Sequence, residues 1–304
     1  MKEAYSITEA TGYFGPGSMT WRLYREPLFV LGGVRALILQ VSHPAVADGV
    51  ARFSNFQADP FGRGYRTFAA MAMIYFGDKQ QADATARRLW RIHSGIRGAA
   101  PDGSTDSRTP VPYSANDPGL LLWVLATLTD TTLEVYEKMP FANLPADWRE
   151  QFYEESKTAA RVLGIPETAY PPDLAAFRRY FGEMLHGDLL GSTPDCHTMT
   201  QAILQHRWSP KQAARLLAAG WLPAPLCVRL GIDAGPEPEA NLEKWLRRFV
   251  KMYRWLPGFL RYSPAYHQAQ YRIALARGQA PAPAGRFFTW LRKKMKVPLG
   301  IEMA

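Results

Sequence analysis

Apolar residues in this chain recur at a spacing of three and four in one segment after another, and alternating apolar–polar runs are nearly absent. In the second half these segments repeatedly open with proline at or near the first position. Proline lacks an N–H and clashes with the preceding turn, so it is tolerated in a helix's first turn and disruptive in its interior. The pattern predicts helices over residues 27–41, 61–76, 78–97, 117–139, 145–163, 172–186, 194–206, 210–219, 239–253 and 264–277. The first ends at the His43-Pro44 pair, because a residue before proline is disfavoured in the helical region. The second stops at Gly77, Asp78 caps the third, and Gly98 closes it. A Pro- and Gly-rich loop over residues 99–116 leads to Asp117 as N-cap and Pro118 at the first helical position. No internal repeat or long linker divides the 304 residues, so the expectation is an all-α chain forming a single globular domain over 1–304.

With 47% hydrophobic and 21% charged residues, the chain is globular in type. Its fifteen Phe, fourteen Tyr and nine Trp either build an aromatic core or line a large apolar cavity. Cys196 and Cys227 have no CxxC or zinc-type spacing, which fits a reducing compartment rather than a disulfide scaffold. The first residues show no basic stretch followed by an apolar run, so a cytoplasmic protein is expected. Residues 28–41 are the most apolar stretch. Fourteen residues that include Arg35 and the pair Gly32-Gly33 fall short of the ~20 a membrane span needs, and read as a buried core helix.

The net charge of +9 comes without an RRM, KH or helix-turn-helix signature, so no nucleic-acid partner is expected. Within the basic tail over 280–304, residues 286–296 place Arg292, Lys293, Lys294 and Lys296 beside Phe287, Phe288, Trp290 and Leu291. Such a segment either docks on the body of the protein or lies on an anionic membrane surface.

On the third helix, Ala82, Ala86, Leu89, His93 and Ile96 share one face, opposite Lys79, Gln80, Asp83, Arg87 and Arg91. His93 therefore points inward on an apolar stripe, where an imidazole either finds a hydrogen-bond partner or binds something. On the second helix Arg63 and Thr67, four apart, border the stripe of Ala70, Met71 and Ile74. That pair suits an anionic group or a bound oxygen species, although Arg63 can also reach solvent and Thr67 can bond back to its own helix. His43, where a helix breaks, is the rival ligand, and it equally suits capping the free carbonyls there. No HxxxH or HExxH arrangement, GxSxG elbow, P-loop, Rossmann glycine pattern or repeated ExxH motif occurs.

In order, Ser42-His43-Pro44-Ala45-Val46-Ala47, Ser54, Asp59-Pro60, Arg63 with Thr67, Phe76-Gly77, His93-Ser94-Gly95-Ile96-Arg97-Gly98, Tyr113-Ser114-Ala115-Asn116-Asp117 and Trp123 to Leu128 with Asp130 resemble the DUF2236 domain of MpaB oxygenases and latex-clearing proteins. The resemblance is close over residues 15–136 and looser to about 200. It implies a globin-like helical core that binds haem b (iron) through one axial histidine, which falls on His93. It places Arg63 and Thr67 in the pocket with His43 beside them, and makes Arg66 and Arg97 further haem-binding candidates. The implied activity is oxidoreductase chemistry, an oxygenase using O2 on a small lipophilic substrate. The alternatives are a haem protein using peroxide or performing dehydrogenation, and a non-catalytic haem- or lipid-binding helical protein.

Overall fold

A computed structural model describes residues 6–54, 59–102, 109–139, 144–205, 211–233 and 235–295. The helices are α1 Ile7–Thr11, α2 Met19–Tyr24, α3 Gly33–Ser42, α4 Pro44–Phe53, α5 Pro60–Phe76, α6 Lys79–Ser94, α7 Pro118–Lys138, α8 Ala146–Val162, α9 Leu174–His186, α10 Pro194–Gln205, α11 Lys211–Ala219, α12 Ala224–Arg229, α13 Pro238–Tyr253, α14 Gly258–Arg261, α15 Pro264–Ala276 and α16 Pro283–Met295. A two-stranded antiparallel hairpin, β1 Arg97–Ala100 with β2 Val111–Ser114, is the sheet content of the described residues. The all-α expectation holds.

The core is built around α3, which packs against α4, α7, α10 and α11. Ile38, Leu39 and Val41 of α3 and Trp123, Leu125 and Val135 of α7 are essentially closed to solvent. Each such large side chain contributes about 1.5–3 kcal/mol on burial. Trp123 Nε1 donates to Leu39 O at 3.1 Å, which satisfies the indole's one donor inside the core. A Cβ on Gly32 would lie 2.3 Å from Thr131 Cγ2 and 2.7 Å from Val135 Cγ2. A glycine there lets the Pro27–Gly32 turn of 3₁₀ helix press onto α7.

Arg35 is 3% exposed, yet its guanidinium is fully engaged. It donates to Asp130 Oδ2 at 2.6 Å, Thr131 Oγ1 at 2.6 Å and Trp221 O at 3.2 Å. A buried charge is tolerated only when paired and hydrogen-bonded in this way. Burial raises the Asp130 carboxyl above the ordinary aspartate range, against the pull of Arg35. No single described helix is long and apolar enough to cross a membrane, although Val30–Ser42 and Pro44–Phe53, bent by 97°, together reach that length and composition.

Four features depart from the sequence reading. Residues 27–41 divide at Gly32 into a 3₁₀ turn and α3. Pro44 ends α3 as expected, but it also occupies N1 of α4, which leaves at 97° to its predecessor. The third helix stops at Ser94 with Gly95 as C-cap, so Arg97 and Gly98 belong to a strand. Asp117 occupies the N-cap position of α7, but its carboxylate accepts from Ser114 N–H at 2.7 Å rather than from the helix.

Candidate active site

The site begins at a well-capped helix start. Asp78 accepts from Gln81 N–H at 2.7 Å, and Gln81 Oε1 accepts from Asp78 N–H at 3.0 Å. This reciprocal box fixes the rotation of α6. Its first inward residues, Ala82 and Thr85, are buried. The stripe then opens, with Leu89 and His93 facing a cavity of about 170 Å³ instead of a filled core. That explains why the inward stripe is only half-buried over its second half.

Further elements line the wall: α3 through Gln40, α4 through Ala45, Val46, Gly49 and Val50, α5 through Arg63, Thr67, Ala70 and Met71, α7 through Val124, Leu125 and Leu128, and the hairpin through Tyr113. His93, Arg63 and Thr67, which lie on two different helices, therefore meet at one cavity. Neither the His93 ring nor the Thr67 hydroxyl has a hydrogen-bond partner among the described residues, whereas Thr85 on α6 bonds back to Gln81 O at 2.8 Å. Burial, and then the positive charge of Arg63, lower the His93 pKa. The imidazole is thus held in the neutral form that binds metals. Burial, with Arg66 adding like charge, lowers Arg63 to about 10, so it remains a cation at neutral pH.

The other candidates lie elsewhere. His43 lines neither this cavity nor its neighbour. Its Nδ1 accepts from Ala45 N–H at 3.3 Å as the N-cap of α4, and burial holds its pKa down at about 4. Arg66 is exposed and pairs with Asp59 at 3.6 Å. Arg97 is exposed on β1. Each of the two is next in sequence to a lining residue, Thr67 and Ile96 respectively. Among the described residues no three His, Cys, Asp or Glu side chains converge on one point.

Tyr113 and Gln40 also line the cavity, and sequence reasoning gave neither a role. Tyr113 donates to Asp48 Oδ2 at 2.5 Å, and its pKa is raised by burial and by that carboxylate. A Cβ on Gly98 would lie 2.5 Å from Asp48 Oδ2 and 2.7 Å from Tyr113 Oη, so this glycine lets the hairpin close over α4. The His-Ser-Gly-Ile-Arg-Gly string was the available signal: its second glycine supports the tyrosine.

A second cavity, of about 370 Å³, adjoins the first. The two share Gln40, Thr67, Met71 and Leu128 as a common wall. Its lining is mainly apolar, including Val34, Leu37, Phe68, Ala72 and Phe76. Tyr24 Oη and Thr132 Oγ1 pair with each other at 2.9 Å, and Thr131 Oγ1 is taken by Arg35. Val30 and Tyr65 line it too while being more than half exposed, which marks where the cavity reaches the surface.

The family model described as "ER-bound oxygenase mpaB/B'/Rubber oxygenase, catalytic domain" matches residues 21–255. Two curated proteins are similar over 232 residues at 27% identity, covering 74% of this chain and 84% of theirs. They are the "Uncharacterized protein Mb2261" of Mycobacterium bovis and the "Uncharacterized protein Rv2237" of Mycobacterium tuberculosis. No solved structure matches. The match takes in every residue that lines the first cavity and continues beyond residue 200, where the resemblance in sequence had faded. The chain belongs to the mpaB/rubber oxygenase catalytic-domain family.

Proposed function

We propose that this protein is a haem b-dependent oxygenase that uses O2 on a small lipophilic substrate, with His93 as the axial iron ligand. The observation that carries the proposal is the neutral, unengaged His93 imidazole on the wall of an otherwise apolar cavity, with Arg63 and Thr67 in the same wall. One imidazole is a sufficient protein ligand for a metal that brings its own equatorial donors, as a porphyrin does. A single histidine in a helical pocket is also the globin-like arrangement that the resemblance implies.

When bound, haem would supply the redox chemistry. The chain's own groups bind, orient and exclude water. Arg63 offers a fixed positive charge and Thr67 a free hydroxyl to whatever negative charge develops in the pocket. Arg66 and Arg97, each next in sequence to a lining residue, would supply positive charge to the cofactor's carboxylates. Haem and substrate would share the two adjoining cavities, of which the second, of about 370 Å³, lies within the usual ~300–1,000 Å³ of small-molecule sites. Its apolar lining selects a lipophilic molecule, and Met71 and Leu128 stand between that molecule and His93. His43 acts at one remove by holding the start of α4, which carries part of the wall.

Titration of purified protein with haem tests the proposal. The expected result is a Soret band that saturates at one haem per chain and survives gel filtration. Protein that emerges without bound haem overturns it.

A further inference from the structure

Residues 244–301 contain thirteen Lys and Arg and not one Asp or Glu. The rest of the chain holds 23 basic and all 27 acidic residues, so it is net acidic and the positive charge of the protein belongs to this segment. The same segment carries an unusual exposure of large apolar side chains. Met252, Trp255, Leu256, Phe259 and Leu260 recur at helical spacing and are 43–85% exposed, with Trp255 the highest. On α16, Phe287 and Trp290 are each about half exposed.

One histidine ties these two clusters together. His267 Nε2 is 2.9 Å from Phe259 O, and the His267 ring stacks on Phe288 at 5.0 Å. Around them Lys251, Arg254, Arg286, Lys293 and Lys294 are exposed, and none is in ion-pair contact with a described carboxylate. Lys294 lies over the Trp290 ring at 5.0 Å. Solitary exposed apolar residues are ordinary, but a cluster of this kind marks an interaction surface.

We infer that this face, formed by residues 251–261 and α16, docks on an anionic lipid bilayer. Tryptophan and phenylalanine beside unpaired lysine and arginine match the two layers of such a surface. The rings enter the headgroup–acyl boundary, and the cations meet lipid phosphates. A nucleic-acid partner would match the charge but would leave Met252, Leu256 and Leu260 without a counterpart. The family match ends at Trp255, so most of this face lies outside the family's common region. Ser263, two residues beyond α14, lines the second cavity; the chain that carries the lipid-facing residues continues directly into that wall. The docking itself stands without the haem proposal, because it is read in the absence of haem.

The test is sedimentation of the full chain with vesicles of phosphatidylcholine alone or with about 30% phosphatidylglycerol, in low and high salt. Binding to the anionic vesicles only, with release by salt, is the expected result. Combined Lys251→Glu, Arg254→Glu, Lys293→Glu and Lys294→Glu should weaken it at least about tenfold. These positions are exposed, and circular dichroism checks that the variant is folded. Trp255→Ser should reduce quenching of tryptophan fluorescence by brominated lipid, and Trp255→Ser with Trp290→Ser should remove most of it. No binding to anionic vesicles, binding that charge reversal leaves unchanged, or binding of duplex DNA in place of vesicles would each overturn the inference. Self-association through this face without vesicle binding would do so as well.

Discussion

His43 offers a quantitative test of how the site is held in place. The residue is buried and neutral, and its Nδ1 accepts the Ala45 N–H at the start of α4. Protonation would remove that acceptor and place a charge in the core. Burial accordingly lowers its pKa from 6.5 to about 4, a difference equivalent to about 3.4 kcal/mol when fully expressed. Above pH 6.5 both folded and unfolded chains carry the neutral ring. As pH falls, the unfolded chain takes up the proton near 6.5 and the folded chain does not until about 4, so stability is lost across that window. At pH 5 the linkage relation gives a loss of about 2 kcal/mol relative to pH 7. Asparagine caps helices without titrating. Urea unfolding of the wild type and of His43→Asn at pH 7 and pH 5 isolates the term. The wild type should lose about 2 kcal/mol more than the variant between the two pH values. Equal losses, or a wild type that gains stability toward pH 5, would refute the buried neutral cap.

Other perturbations follow from the same geometry. Asp130→Ala leaves the Arg35 guanidinium buried without its carboxylate and should cost about 3–5 kcal/mol in chemical denaturation; a change under 1 kcal/mol would show that the pair is solvated. Gly98→Ala forces a Cβ against Asp48 and Tyr113 and should destabilise by about 1–3 kcal/mol, readable as a lowered melting temperature. Met71→Trp fills the wall common to the two cavities, so it should lower binding of an apolar fluorescent probe; unchanged affinity would place the probe elsewhere.

Much of the fold was legible because helical period and helix punctuation are local signals. Asp78, Pro118 and Pro264 marked true starts, and the inward placement of His93 followed from spacing alone. The misreadings came where one local signal has two meanings. Pro44 stops one helix and begins another, and only the tertiary bend distinguishes a break from a chain end. Residues 97–100 are too short to show alternation, and their strand character comes from pairing with residues 111–114. The His93–Arg63–Thr67 grouping was foreseen from helix faces and the resemblance together. The second cavity was not, since it is assembled from Tyr24, Leu37, Phe68, Leu128 and Ser263, which are remote in sequence and ordinary in type. The tail over 286–296 was visible as a basic aromatic run, with Lys296 outside the described residues. That Trp255 and its neighbours join it depends on exposure, which periodicity does not report.

The proposed role of His93 is to hold a haem iron beside Arg63 and Thr67. The absorbance spectrum of haem-supplied wild type, His93→Ala and His43→Asn tests it most directly. The expected result is a Soret band in the wild type, the same band in His43→Asn, and its loss or shift in His93→Ala with restoration toward the wild-type spectrum by added imidazole. A band that is unchanged in His93→Ala, or absent from all three proteins, would contradict it.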